Sequence, residues 1–263
     1  MNRVRLCAAL AAIWAASAIP LFAQNITNVV ETGGDNEATD TIPAKWTGQT
    51  FNISVANEPI IGAIGVGYTV GTFGHLAPAF VDRNHAFSNH VGTAVPAGFT
   101  IPAYLVGREY IMSGNDNRDN ANYRLDVTVA NPSTVYMLID NRMSASTDAA
   151  DNADPPTFDA THMQWILDQG WTATNGGLNR TGNTAVPDEV PIDEGANSSI
   201  EQWYSVYRRD VPAGTFSLLQ ADNAGQNMYG VVVVAIPEPS TIALVGCGLV
   251  GVALAIRRRR SAV

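Results

Sequence analysis

Two apolar segments bracket this chain, each with arginines on one side, and they decide how much of it is free to fold as a globular domain. At the start, Arg3 and Arg5 precede an apolar run over residues 6–18, followed by Ile19, Pro20, Leu21, Phe22, Ala23 and the polar Gln24. A basic n-region, a short apolar stretch and small residues before a polar segment make a secretory signal peptide. Ala16-Ser17-Ala18 and Ala23 both fit a signal-peptidase cut. Cleavage after Ala23 is preferred, because Pro20 ends the apolar helix and Gln24 opens the polar mature chain. Export of this kind runs through the Sec translocon.

At the other end, residues 242–256 carry no charge and are followed by Arg257, Arg258, Arg259 and Arg260. A helix of that length spans about 22 Å at ~1.5 Å per residue, short of a ~30 Å hydrocarbon core. Snorkelling arginines and local thinning allow transient membrane insertion, with the arginines cytoplasmic and everything before residue 237 outside. Pro237, Glu238 and Pro239 precede this helix, and the flanking prolines keep the tripeptide extended. The three-part tail resembles the PEP-CTERM sorting signal of Gram-negative bacteria. The resemblance implies an exosortase as processing partner. It also implies a surface or matrix destination in cells that make exopolysaccharide and grow as biofilms.

The boundaries expected are therefore 1–23 signal peptide, 24–236 ectodomain and 237–263 sorting signal. The ectodomain holds nine basic against 23 acidic residues, a formal charge of −14, with Lys45 its one lysine. That balance argues against nucleic acid as a partner and against uptake of acidic polymers. Both cysteines, Cys7 and Cys247, fall in the terminal segments, so no disulfide framework or Cys-ligated zinc is expected between them.

Helical periodicity is scarce in 24–236. Short β-branched or aromatic runs recur at 51–55, 60–70, 104–106, 110–112, 123–130, 134–139, 205–207, 215–219 and 228–235. Leu125, Val127 and Val129 alternate with Arg124, Asp126 and Thr128, the pattern of a half-buried strand. Asn131-Pro132-Ser133 and Val211-Pro212-Ala213-Gly214 read as turns, and one helical turn is expected over 162–168. The fold class expected is an all-β antiparallel sandwich or jelly roll, with a signal helix before it and a hydrophobic helix after it. The segments 113–120, 146–156, 176–183 and 188–199, rich in Asp and Asn, read as polar surface loops.

The ordered stretches resemble the galactose-binding-like β-sandwich modules attached to polysaccharide-degrading enzymes. The residues that carry the likeness are 135–142, Trp165, Gly170-Trp171-Thr172, 204–208, 211–215 and 228–233, with a looser fit at 81–83, 110–111 and 115–117. The resemblance implies a carbohydrate-binding module. Trp165, Trp171 and Trp203 are the candidate residues for stacking on sugar rings, against the alternative that they fill the core. Tyr110 and Tyr123 are weaker candidates.

Asn115, Asn117, Asp119 and Asp126 sketch an EF-hand spacing that fails at Asn120, where a glycine is required, and at its last position, Asp for Glu. A calcium site at Asp116 and Asp119 is an expectation beside the alternative of a solvated turn, as is the cluster Asp148, Asp151, Asp154. His75, His85, His90 and His162 lack the spacing of a zinc site. No nucleophile elbow or phosphate-binding loop occurs. Asp188-Glu189 and Asp193-Glu194 are assigned to polar loops, and no catalytic residue is expected. The function expected is a non-catalytic, exosortase-processed matrix protein. The alternatives are a carbohydrate-binding module, with calcium or without, and a polysaccharide hydrolase or lyase.

Overall fold

A computed structural model describes residues 25–33, 69–75, 77–80, 85–88, 99–143, 154–194, 200–221 and 226–237. Their elements are β1 (Ile26–Thr32), β2 (Thr69–Thr72), β3 (His85–Phe87), β4 (Glu109–Met112), β5 (Arg124–Val129), β6 (Ser133–Asp140), α1 (Gln164–Asp168), β7 (Thr172–Ala173), β8 (Glu189–Glu194), β9 (Gln202–Val211), β10 (Gly214–Leu219) and β11 (Gly230–Ala235). One sheet has the order β1-β5-β10 and the other β2-β4-β11-β6-β9-β8-β3, with β7 pairing β9 off that path. Every strand pairing is antiparallel. The fold is an all-β antiparallel sandwich, as its alternating strands predict.

Strand β5 shows why. Leu125, Val127 and Val129 are buried while Arg124 is exposed, and the strand sits centrally between β1 and β10. Each buried aliphatic side chain contributes about 1.5–3 kcal/mol, so a one-residue slip would forfeit the whole row. The turn at Asn131, Pro132 and Ser133 carries the chain from β5 in the small sheet to β6 in the large one. Val211 to Gly214 makes the return crossing from β9 to β10. These turns are the sandwich's corners.

Both faces of the large sheet are covered. On one, Phe73, Phe87, Tyr110 and Tyr204 form a chain of ring contacts with centroids 4.8–6.1 Å apart. Gly230 is the gap that admits them: a Cβ there would lie 3.2 Å from Phe87 Cζ and 3.3 Å from Leu138 Cδ1. On the other face, Phe158 meets Tyr207 and Trp165 meets Tyr229.

Three expectations need correction. Residues 104–106 form a turn, because Gly107 takes φ +77° and turn bonds join Leu105 to Pro102 and Arg108 to Leu105. Residues 189–194 form the buried strand β8 instead of a polar loop. In the Asn-rich segment, Ser113, Asn115 and Asn117 are buried, since their side chains bond groups remote in sequence. Asn115 Oδ1 accepts the Met228 N–H at 2.8 Å, and Asn117 Nδ2 donates to the Glu31 carboxylate. The expected strand over 51–55, most of that over 60–70, and the two terminal helices lie outside the described residues. Among the described residues, no helix is long and apolar enough to cross a membrane.

Candidate functional site

The strand directions divide the sandwich into two poles. Strands β5, β6, β9, β10 and β11 place residues 129–133, 211–214 and 235 at one pole, and residues 140–142, 202 and 219–221 at the other. The second, loop-bearing pole contains a groove of ≈ 560 Å³ lined by Arg118, Thr161, Gln164, Trp165, Asp168 and Gln220, with Met163 and several alanines between them. Met163 precedes α1 at φ 46°, ψ 41°, a left-handed conformation that costs a non-glycine residue about 1–3 kcal/mol. The turn before it is tied by Asp159, which accepts from the Thr161 N–H and hydroxyl and contacts His162 Nδ1 at 2.9 Å. The Thr161 N–H first, then His162 and the Thr161 hydroxyl, hold the Asp159 carboxyl down at about 2. Rigid turn geometry thus presents hydroxyl, amide and carboxylate groups to a partly open cleft.

Asp140, Glu189 and Asp188 are carboxylates buried away from the groove lining. Asp140, fully buried, accepts a bidentate pair from Arg142, with Nη2 at 2.6 Å, and also the Asn227 N–H. Glu189 accepts from Asn141 Nδ2 at 2.9 Å and from both the backbone and Nη2 of Arg180. Asp188 accepts from the Tyr104 hydroxyl and from the N–H groups of Gly176 and Leu178, each at 2.8 Å. Burial, before the nearby Asp188 charge, pushes the Tyr104 hydroxyl far above its ordinary range. Carboxylates bound on this many sides act as structural anchors for loops. The assignment of Asp188 and Glu189 to solvated loops is corrected, because Tyr104 and Asn141, both remote in sequence, donate to them.

The three candidate tryptophans are separated. Trp165 is 6 % exposed, lines the groove, and donates from Nε1 to the Gln220 carbonyl at 2.9 Å. Trp171, 5 % exposed, lies under the Arg209 guanidinium at 5.1 Å. Trp203, 6 % exposed, has Arg180 5.0 Å over its ring and the edge of Phe99 against it. In both of the latter an arginine occupies an indole face, where a sugar would have to sit. Tyr110 and Tyr123 are core residues.

Asp116 is ion-paired to Arg118 at 2.8 Å within a 3-10 turn, and that same arginine reaches the groove. The Asp119 side chain lies outside the described residues. Among the described residues, no three His, Cys, Asp or Glu side chains are grouped to hold a metal ion. Asp148 and Asp151 lie outside them. Sequence reasoning missed Gln164, Asp168 and Gln220, whose only signal was proximity in sequence to Trp165 or to the end of a strand.

The opposite pole carries both ends of the domain. The Asn25 N–H donates to both Glu109 oxygens at 2.9 and 3.0 Å, and the Ile26 N–H to one of them at 3.1 Å. The buried Asn25 side chain donates to Ser133 Oγ and accepts from the backbone and side chain of Asn131. Ile236 N–H donates to the Pro132 carbonyl at 2.8 Å, after which Pro237 is exposed. Residues 235–260, beginning at the last residue of β11, match the PEP-CTERM protein-sorting motif. The chain carries a PEP-CTERM signal.

That signal makes the chain a secreted, exosortase-targeted protein of the Gram-negative cell surface, with an exosortase as its processing partner. No curated protein and no solved structure matches the chain. The PEP-CTERM segment leaves the sandwich without a spacer, and only Pro237 of its name-giving tripeptide falls within the described residues. Ala23, Glu238, Pro239 and Arg257 to Arg260 lie outside them.

Proposed function

We propose that this chain is a non-catalytic component of the cell surface or biofilm matrix, delivered by exosortase processing and contacting exopolysaccharide through its loop pole. The observation that carries this reading is the polarity of the domain. Both ends of the described domain, Asn25 and Ile236, gather at one pole, while the groove with its amide, hydroxyl and carboxylate lining opens at the other. A domain held at the membrane by its ends would present that groove outward. The hydrogen bonds and ion pairs around Asp140, Asp188 and Glu189 support a structural role for these three carboxylates.

Deleting residues 237–263 and fractionating the culture tests delivery: the truncated chain should leave the surface fraction, and unchanged surface display would defeat it. A glycan array with the purified 24–236 domain tests contact. Gln164→Ala with Asp168→Ala should weaken binding about 10-fold or more, as loss of one or two hydrogen bonds predicts, with the melting temperature unchanged. Binding that survives this pair but is lost with a chelator would move the site to the calcium reading at Asp116 and Asp119. Release of reducing sugar by the same protein would favour the hydrolase alternative.

A further inference from the structure

The structure bears on where the tail is removed. Strand β11 is internal to the large sheet: Val231–Val233 pair with β4 on one side, and all of Gly230–Ala235 pair with β6 on the other. Ile236 continues the ladder through its N–H bond to Pro132 O. Burial declines along the strand, from fully covered Val232 to half-covered Val234 and Ala235, then to exposed Ile236 and Pro237. A protease binds its substrate as an extended strand whose backbone groups must be free to pair with the enzyme. Residues 231–233 pair on both sides, 234 and 235 pair with β6 alone, and at 236 the N–H is held by the corner turn. Pro237 has no N–H and lies outside both sheets.

We propose that the scissile bond lies on the C-terminal side of Pro237, so that the retained protein keeps β11 whole and ends within or beyond Pro237, Glu238 and Pro239. The inference rests on exosortase processing and adds a limit that the fold imposes: the matched motif begins at residue 235, but its first two residues belong to the sandwich. In the cut, the peptide C–N bond breaks. Its carbonyl carbon gains the hydroxyl of a water molecule, and the departing nitrogen gains the remaining proton. The new carboxylic acid releases its proton to water, so the retained chain ends in a carboxylate on the C-terminal side of Ile236.

The test is mass spectrometry of the C-terminal peptide from surface-extracted protein, made as the full chain in a host that has its exosortase. A C-terminus at Pro237 or later is the expected result. A C-terminus at Ile236 or earlier overturns the limit while leaving exosortase processing intact. A chain still ending at Val263 overturns both. A second variant carries Gly-Ser-Gly-Ser between Ile236 and Pro237. Its product should retain the whole insert, whereas an end inside the insert would mean that the natural cut falls in the ladder.

Discussion

The two poles of this sandwich are held by different kinds of bond. At the terminus pole, the neutral side chains and backbone of Asn25, Asn131, Ser133 and Ile236 close around one turn, with Glu109 the carboxylate that caps the first strand. At the loop pole, Asp140 and Glu189 are buried and ion-paired with Arg142 and Arg180. The difference teaches where damage should be large. A buried carboxylate that loses its partner keeps its desolvation penalty, whereas a neutral hydrogen bond is largely replaced by water.

The largest effect should come from Arg142→Ala. It leaves the Asp140 carboxylate buried without its bidentate partner, and about 3–5 kcal/mol of stability should be lost in urea unfolding. A loss below about 1 kcal/mol would show that the charges of the loop pole contribute no more than the neutral bonds of the other. Gly230→Ala follows, because the new methyl meets Phe87 and Leu138 at 3.2 and 3.3 Å, and about 1–3 kcal/mol should go. At the terminus pole, Glu109→Gln keeps an acceptor for Asn25 but removes the charge, so the loss should be about 1 kcal/mol in the same assay. Hydrogen exchange should then report faster opening at residues 25 and 26 than at the centre of β6.

The smallest effect is in acid. His85 lies 3.4 Å from Glu194, and its hydrogen bond holds that half-buried carboxyl below its ordinary 4.5. A carboxylate depressed in the folded state contributes stability above 4.5 that is lost as the pH falls through the lower folded value. Glu194→Gln should therefore lower stability at neutral pH by less than about 1 kcal/mol and flatten its pH dependence below 4.5. A steeper acid dependence in the variant would reverse the assignment.

The strands legible in the sequence were those whose burial alternates, and β5 and β6 fell within a residue or two of their expected places. Strand β8 was not, since Glu189, Pro191, Asp193 and Glu194 mimic a solvated loop. What makes that segment a strand is Arg180, Asn141 and Ser205, and no local pattern announces such partners. The same blindness applied to Trp171 and Trp203: their spacing offered stacking platforms, but the arginines above them come from distant parts of the chain. The groove depends on Arg118, Gln164 and Gln220 arriving together across about a hundred residues, so only Trp165 could be picked out beforehand. The sorting signal was fully legible because it is read as a linear segment.

The meeting of Asn25 and Ile236 at one corner turn has a topological consequence. The ladder has no need of a gap between first and last strand, so a few linking residues could close the chain into a ring without disturbing a pairing. Such a ring reopened in the exposed turn at Thr181 to Ala185 should melt as the linear domain does. For the same reason the domain could be spliced into a surface loop of another protein, entering and leaving at one point like an appendage on a stalk.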